Sequence, residues 1–156
     1  MRLRFGIVLI ALMLLANGCQ GAMTGIVVDA ETGKPVEGAV VLVEWTKTSG
    51  IGLTSTSSYK VVEALTDKDG RFSVSGVLNP FVNEPDLTIY KKGYVAWNNK
   101  IIFPDYRNRE GFEWRDGFVF ELKRFDEESF SYDELSSFIT SAARLYSATE
   151  KKTTFH

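Results

Sequence analysis

The side chains best equipped for covalent or acid–base chemistry are scarce in this sequence. Its single cysteine is Cys19 and its single histidine is His156. A zinc centre draws on several imidazole, thiolate or carboxylate ligands, so no metal site is expected. Ser-His-Asp and Cys-His arrangements need an imidazole beside the nucleophile, and no histidine stands within the body of the sequence. Carboxylates are plentiful, but their spacing suits turns and helix ends. The stretch "DKDG", Asp67 to Gly70, opens like an oxygen-rich calcium loop. Its glycine arrives early, however, and no glutamate follows at EF-hand spacing, so it reads as a turn. Glu127 and Glu128 precede a helical stretch and suit its dipole better than general acid catalysis. No catalytic residue and no cofactor are expected.

A different chemistry is written in "FPDYRNREGFEWRDGF", Phe103 to Phe118. It interleaves Tyr106, Phe112 and Trp114 with Arg107, Arg109 and Arg115 and with four acids. Long connections in compact domains are often functional. Aromatic and arginine side chains are favoured at binding hot spots, and an aromatic face can stack on a sugar or grip a peptide. With Trp97 close by in sequence, the candidate binding set is Trp97, Tyr106, Arg107, Arg109, Phe112 and Trp114. The competing and preferred reading folds these rings back over one end of the domain while the charges pair at the surface. Nucleic acid is not an expected partner. The 18 basic residues face 20 acidic ones, and without Arg2 and Arg4 the charge falls from −2 to −4, whereas nucleic-acid binders carry a basic face.

The elements that must position these residues are mostly short strands. Met23 to Ala30 and Ala39 to Thr46 are rich in valine and aliphatic residues. Between them, Gly33, Pro35 and Gly38 make a chain reversal: glycine tolerates positive φ and proline presets its own. Thr46 to Tyr59, rich in Ser, Thr and Gly, reads as an exposed loop or frayed edge. Lys60 to Thr66 is a third strand. Asp67 and Gly70 then turn the chain into "RFSVS", whose alternation fits a half-buried strand. Leu87 and Ile89 share a face before Gly93 permits a bend. Ile101 to Phe103 and Phe118 to Leu122 supply the last strands, with Phe118, Phe120 and Leu122 on one face. About seven short strands separated by turns predict a mainly β fold, a seven-stranded antiparallel sandwich. The period then changes. Ser131 and Glu134 form a capping box, and Leu135, Phe138, Ile139, Ala142 and Tyr146 recur at helical spacing. An amphipathic helix over Tyr132 to Ser147 is predicted, resting on its own sandwich. The organisation expected is a leader over 1–18, a sandwich over 19–123, a helical extension over 124–147 and a flexible tail over 148–156.

The leader carries the address. Arg2 and Arg4 precede the apolar run Phe5 to Ala16, then Asn17, Gly18 and Cys19, the n-region and h-region of a secretory signal. Twelve apolar residues make a helix of roughly 18 Å, short of a hydrocarbon core of roughly 30 Å. The sequence "LLANGC" resembles the lipobox of bacterial lipoproteins, whose cysteine is lipidated. That implies anchoring of Cys19 in a lipid bilayer, since each buried CH₂ contributes about 0.8 kcal/mol. Gln20 after the cysteine resembles lipoproteins sent to the outer membrane. An ordinary signal peptide cleaved near "NGC" or "GAM", or an incidental thiol, is the alternative.

Three stretches in order, "GIVVDAETGKPVEGAVVLV", "TDKDGRFSV" and "LTIYKKGY", resemble the signatures of the carboxypeptidase regulatory-like domain, a transthyretin-like β-sandwich. The likeness runs from Thr24 to Trp97, about half of the chain. It implies an accessory, non-catalytic module of the kind found in bacterial surface and envelope proteins. Similar sandwiches in adhesins carry a lysine–asparagine isopeptide bond, but "MTGIVVDA" has no lysine and none is expected. Three functions follow as expectations: an interaction module whose loops, chiefly Tyr106 to Trp114, engage an envelope protein or another subunit; a carbohydrate-binding module using Trp97, Tyr106 and Trp114; and, less favoured, a small hydrolase. Transthyretin-related hydroxyisourate hydrolases use histidines and a C-terminal motif that this sequence lacks.

Overall fold

The computed structural model describes residues 21–51 and 53–143. Cys19, the leader, the helical positions Tyr146 and Ser147 and the tail lie outside the described residues. The strands are β1 (Ala22–Asp29), β2 (Val40–Ser49), β3 (Ser55–Leu65), β4 (Arg71–Ser75), β5 (Asp86–Tyr90), β6 (Trp97–Asn98), β7 (Ile101–Ile102), β8 (Arg107–Asn108) and β9 (Phe118–Leu122), followed by helix α1 (Tyr132–Ala142).

Two sheets enclose the main core: a three-stranded sheet ordered β4-β1-β9 and a four-stranded one ordered β3-β2-β5-β6. Val27, Phe72, Val74, Phe120 and Leu122 from the first meet Val41, Val43, Trp45, Leu87 and Ile89 from the second. Period-two alternation produces this directly. Phe72 and Val74 are buried while Arg71, Ser73 and Ser75 are exposed. Close packing also explains Gly25, where a Cβ would stand 2.6 Å from the Phe72 and Phe120 rings.

The sheet architecture departs from the seven-stranded antiparallel expectation in two respects. Nine strands occur among the described residues, because the connection after β6 forms a small ladder, β7 with β8. And β9 lies parallel to β1, Gly25 opposite Phe118 through Asp29 opposite Leu122. A parallel pair is set by the long route the chain takes between its members, which side-chain alternation does not encode. The β2–β3 hairpin is also longer than Thr46 to Tyr59 suggested. Pairing continues past a bulge at Trp45/Thr46 out to Ser49 opposite Ser55. Thr48 and Thr56 share a hydroxyl contact of 3.1 Å, and Asn83 Nδ2 donates to the Thr46 and Thr48 hydroxyls. Threonine favours strands, so the Ser/Thr-rich segment extends the ladder.

The reversal between β1 and β2 is pinned by a residue outside the expected set. Asp29 is 2% exposed. Its Oδ1 accepts from the amides of Glu31 and Thr32 and the Thr32 hydroxyl, and its Oδ2 from the Tyr94 hydroxyl at 2.9 Å and Arg124 at 2.9 Å. The Thr32 amide bond holds the carboxyl well below its ordinary range, against the opposing cost of burial; the hydroxyls of Tyr94 and Thr32 and the Glu31 amide add to the lowering. Burial first, and then its bond to Asp29, push the Tyr94 phenol up. The second turn works alike: Asp67 Oδ1 accepts from the amides of Asp69 and Arg71. There Gly70 combines φ +71° with a position where a Cβ would meet Val27 O at 2.4 Å.

Helix α1 begins at a complete capping box, with Ser131 Oγ accepting from the Glu134 amide and Glu134 Oε2 accepting from the Ser131 amide. Its described span runs to Ala142, with Ala143 as C-cap, and the expected positions 144–147 lie outside the described residues. Leu135, Phe138 and Ala142 are buried. Phe138 packs with Ala96, Tyr90, Ile101 and Phe103 in a second, smaller core, so the helix rests on its own domain. Thr88 Oγ1 in β5 lies 3.5 Å from Ala142 O.

Candidate binding groove

The segment between β6 and β9 carries most of the candidate residues, and β6 anchors it. Asn98 is 1% exposed. Its Nδ2 donates to Thr88 Oγ1 at 3.0 Å and to Asp86 Oδ1 at 3.4 Å, while its Oδ1 accepts from the amides of Lys100 and Ile101 at 2.8 and 3.0 Å. This fixes the turn into β7. It also aims the Asn98 carbonyl outward, where it accepts from Arg109 Nε at 2.8 Å.

Held there, the Arg109 guanidinium lies over the Trp97 ring, 4.5 Å from its centroid. Trp97 in turn makes edge-to-face contacts with Phe112 at 5.1 Å and Phe120 at 4.9 Å. Burial and the neighbouring Arg107 charge pull the Arg109 guanidinium below its ordinary value, which still leaves it a cation. No carboxylate lies within ion-pair distance of Arg109 among the described residues. The other arginines of the segment do find acids: Arg107 stands 3.6 Å from Asp105 and Arg115 3.0 Å from Glu113.

These residues line an open-sided groove of about 470 Å³. Trp97, Arg107, Arg109 and Phe112 form one wall, and Phe118, Val119, Glu121 and Lys123 of β9 and its end form the other. Four of the six candidate residues therefore converge. Trp114 turns away: its ring packs on Phe72 and Phe120, and its Nε1 donates to Thr24 O at 3.0 Å. It borders a second hollow of about 800 Å³ with Lys100, Glu113 and Arg115, which Arg109 and Phe112 also reach from the first. Tyr106, at φ +56°, stands by Phe138, ring centroids 5.4 Å apart, in a shallow depression against α1. Trp97, Tyr106 and Trp114 thus share no common face, and the expected aromatic sugar platform does not form. Most of the rings do fold back on the domain, while the fixed cation faces the groove.

Sequence reasoning missed two contributors to the groove. Asn98 has no motif, and only its burial reveals that it positions Arg109. The β9 wall was recognised as a strand, but nothing local shows what lies beside its outer edge. Glu44 is 5% exposed, stands opposite Asp86 in the ladder, and its Oε1 has no hydrogen-bond partner among the described residues. Among those residues no three His, Cys, Asp or Glu side chains gather as metal ligands, and no helix is long and apolar enough to cross a membrane. Comparison of the sequence with known family profiles finds no match, and comparison with curated proteins finds none.

Proposed function

We propose that this protein is a non-catalytic binding or scaffolding lipoprotein of the bacterial cell envelope. Its domain is of the carboxypeptidase regulatory-like kind, it is held at the outer membrane through acylated Cys19, and it engages a protein partner through the groove between Trp97 and β9. The observation that carries the reading is the guanidinium of Arg109, laid on Trp97, tied at Nε by Asn98 O, and left without a carboxylate among the described residues. A cation fixed in this way is pre-organised for a bidentate acceptor, and little side-chain freedom remains to be lost on binding. One face of Trp97 lies under Arg109 and its edges meet other rings, which favours a protein over a glycan as the occupant.

A photo-crosslinking side chain placed at Arg107 in the full chain, in whole cells, is expected to trap a discrete neighbour. The same probe at Thr56, on the edge strand β3, is not expected to. Equal yields from both positions would remove the groove from the reading. The anchor is tested separately: labelled fatty acid is incorporated by the native protein, and incorporation that survives Cys19→Ala rejects lipidation there.

A further inference from the structure

Strand β9 lies at the edge of its sheet, paired on one side with β1. The register decides which of its main-chain groups that pairing uses. Leu122 O accepts from the Ala30 amide at 2.9 Å. Alternate residues of a strand turn amide and carbonyl to opposite edges, so Phe118, Phe120 and Leu122 address β1 while Val119, Glu121 and Lys123 face away. The Lys123 carbonyl is taken by the Val95 amide at 2.8 Å, where Tyr94 bridges Arg124 in antiparallel sense. Beyond Val95 that neighbour leaves, because Trp97 and Asn98 pair with β5. Val119 and Glu121 therefore have no strand partner on that edge among the described residues, and both line the groove.

We infer that the groove takes an extended acidic peptide segment of a partner protein by strand addition: the peptide main chain pairs with Val119 and Glu121, and one of its carboxylates is gripped by Arg109. This deepens, and rests on, the protein-binding reading above. An unpaired edge inside a groove offers alternating donors and acceptors, which only another extended main chain matches at strand spacing. The acid is called for by Arg109, whose Nε is already used. Its two terminal nitrogens have no hydrogen-bond partner among the described residues, and a carboxylate fits that fork. Arg107 and Lys123 add positive charge to the same lining, against Glu110 and Glu121. Phe112 and Phe118, 5.3 Å apart edge to face, give an apolar floor for an intervening side chain.

The test uses the full chain and two capped heptapeptides of alternating valine and threonine, one with a central glutamate and one with glutamine in its place. The glutamate peptide is expected to bind about tenfold more tightly, as for a hydrogen-bonded charge, and Arg109→Gln is expected to erase that difference. Val119→Pro removes only an amide that faces away from β1, so the ladder tolerates it. It should weaken both peptides about tenfold, while Val119→Thr, which keeps the amide, should not. If Val119→Pro disturbs folding, amide exchange in the native chain decides: the peptide should protect the Val119 and Glu121 amides. Unchanged exchange there, or equal binding of the two peptides, overturns the inference. A neighbour crosslinked at Arg107 without that protection would leave the protein-binding reading standing and remove strand addition. A dimer of the full chain broken by Val119→Pro would assign the edge to a second copy. An uncharged oligosaccharide bound at the groove with no response to Val119→Pro would assign it to a glycan. Either result overturns the acidic peptide.

Discussion

Replacing Asn98 with alanine should both destabilise the protein and loosen the groove, and the size of the effect follows from its bonds. The side chain makes three sound hydrogen bonds, at 2.8, 3.0 and 3.0 Å, and one long one at 3.4 Å. Each is worth about 0.5–1.5 kcal/mol net, and amides left buried without an acceptor cost more. The residue is 1% exposed, while its bonds to the amides of Lys100 and Ile101 are part-buried, so water compensates those orphaned amides only in part. A loss of about 3 kcal/mol is expected, which for a domain of this size lowers Tm by roughly 10 °C. Urea unfolding followed by far-UV circular dichroism measures it, and an unchanged slope would show that the folded and unfolded states keep their compactness. Because Asn98 O receives Arg109 Nε, the indole N–H resonance of Trp97, resolved by NMR from those of Trp45 and Trp114, should also shift in the folded variant. A loss below about 1 kcal/mol would mean that the Asn98 network contributes no more than one ordinary hydrogen bond. An unaltered Trp97 signal would refute its role in placing Arg109.

Asp29 predicts an acid limb. Its folded carboxyl titrates well below the ordinary value of 3.8, chiefly through the Thr32 amide. The unfolded chain therefore takes the proton first, and the stabilisation present above that value is lost as pH falls below it. The urea midpoint of the native protein should drop below about pH 4 more steeply than that of Asp29→Asn, which is weaker at neutral pH for want of the Arg124 ion pair. Parallel curves would show that other carboxylates govern acid unfolding. Phe138→Ala should cost about 3–5 kcal/mol of packing, because the ring is 0% exposed and meets Phe103 and Tyr106 at 5.5 and 5.4 Å. Hydrogen exchange should then show α1 opening while β2 stays protected; simultaneous loss of both would show that the helix is integral to the main core.

The legible parts of this protein were those written in local periods. Alternation in "RFSVS" and "FVFEL" gave β4 and β9 with their buried faces, and Ser131 with Glu134 marked the start of α1 to the residue. The Ser/Thr-rich hairpin misled because its composition suits loops, whereas its cross-strand hydroxyl contacts suit a ladder. Of the six candidate residues, Trp97, Arg107, Arg109 and Phe112 reached one groove, while Trp114 and Tyr106 went to other surfaces. Residue type marked all six as fit for contact, but no spacing rule tells which way a side chain leaves an irregular segment.

By itself the sequence determined that the chain is mainly β with a C-terminal helix, where its turns fall, and which stretch holds its aromatic and guanidinium groups. Those properties depend on neighbours a few residues away. Only the tertiary structure decided that β9 returns parallel to β1 and leaves its other edge beside Trp97. It alone brought Asp29 to Arg124 and Asn98 to Arg109. Such contacts join residues far apart along the chain or on opposite sides of a bend. They exist because burying one common core fixes the position of every edge around it, and no local pattern carries that information.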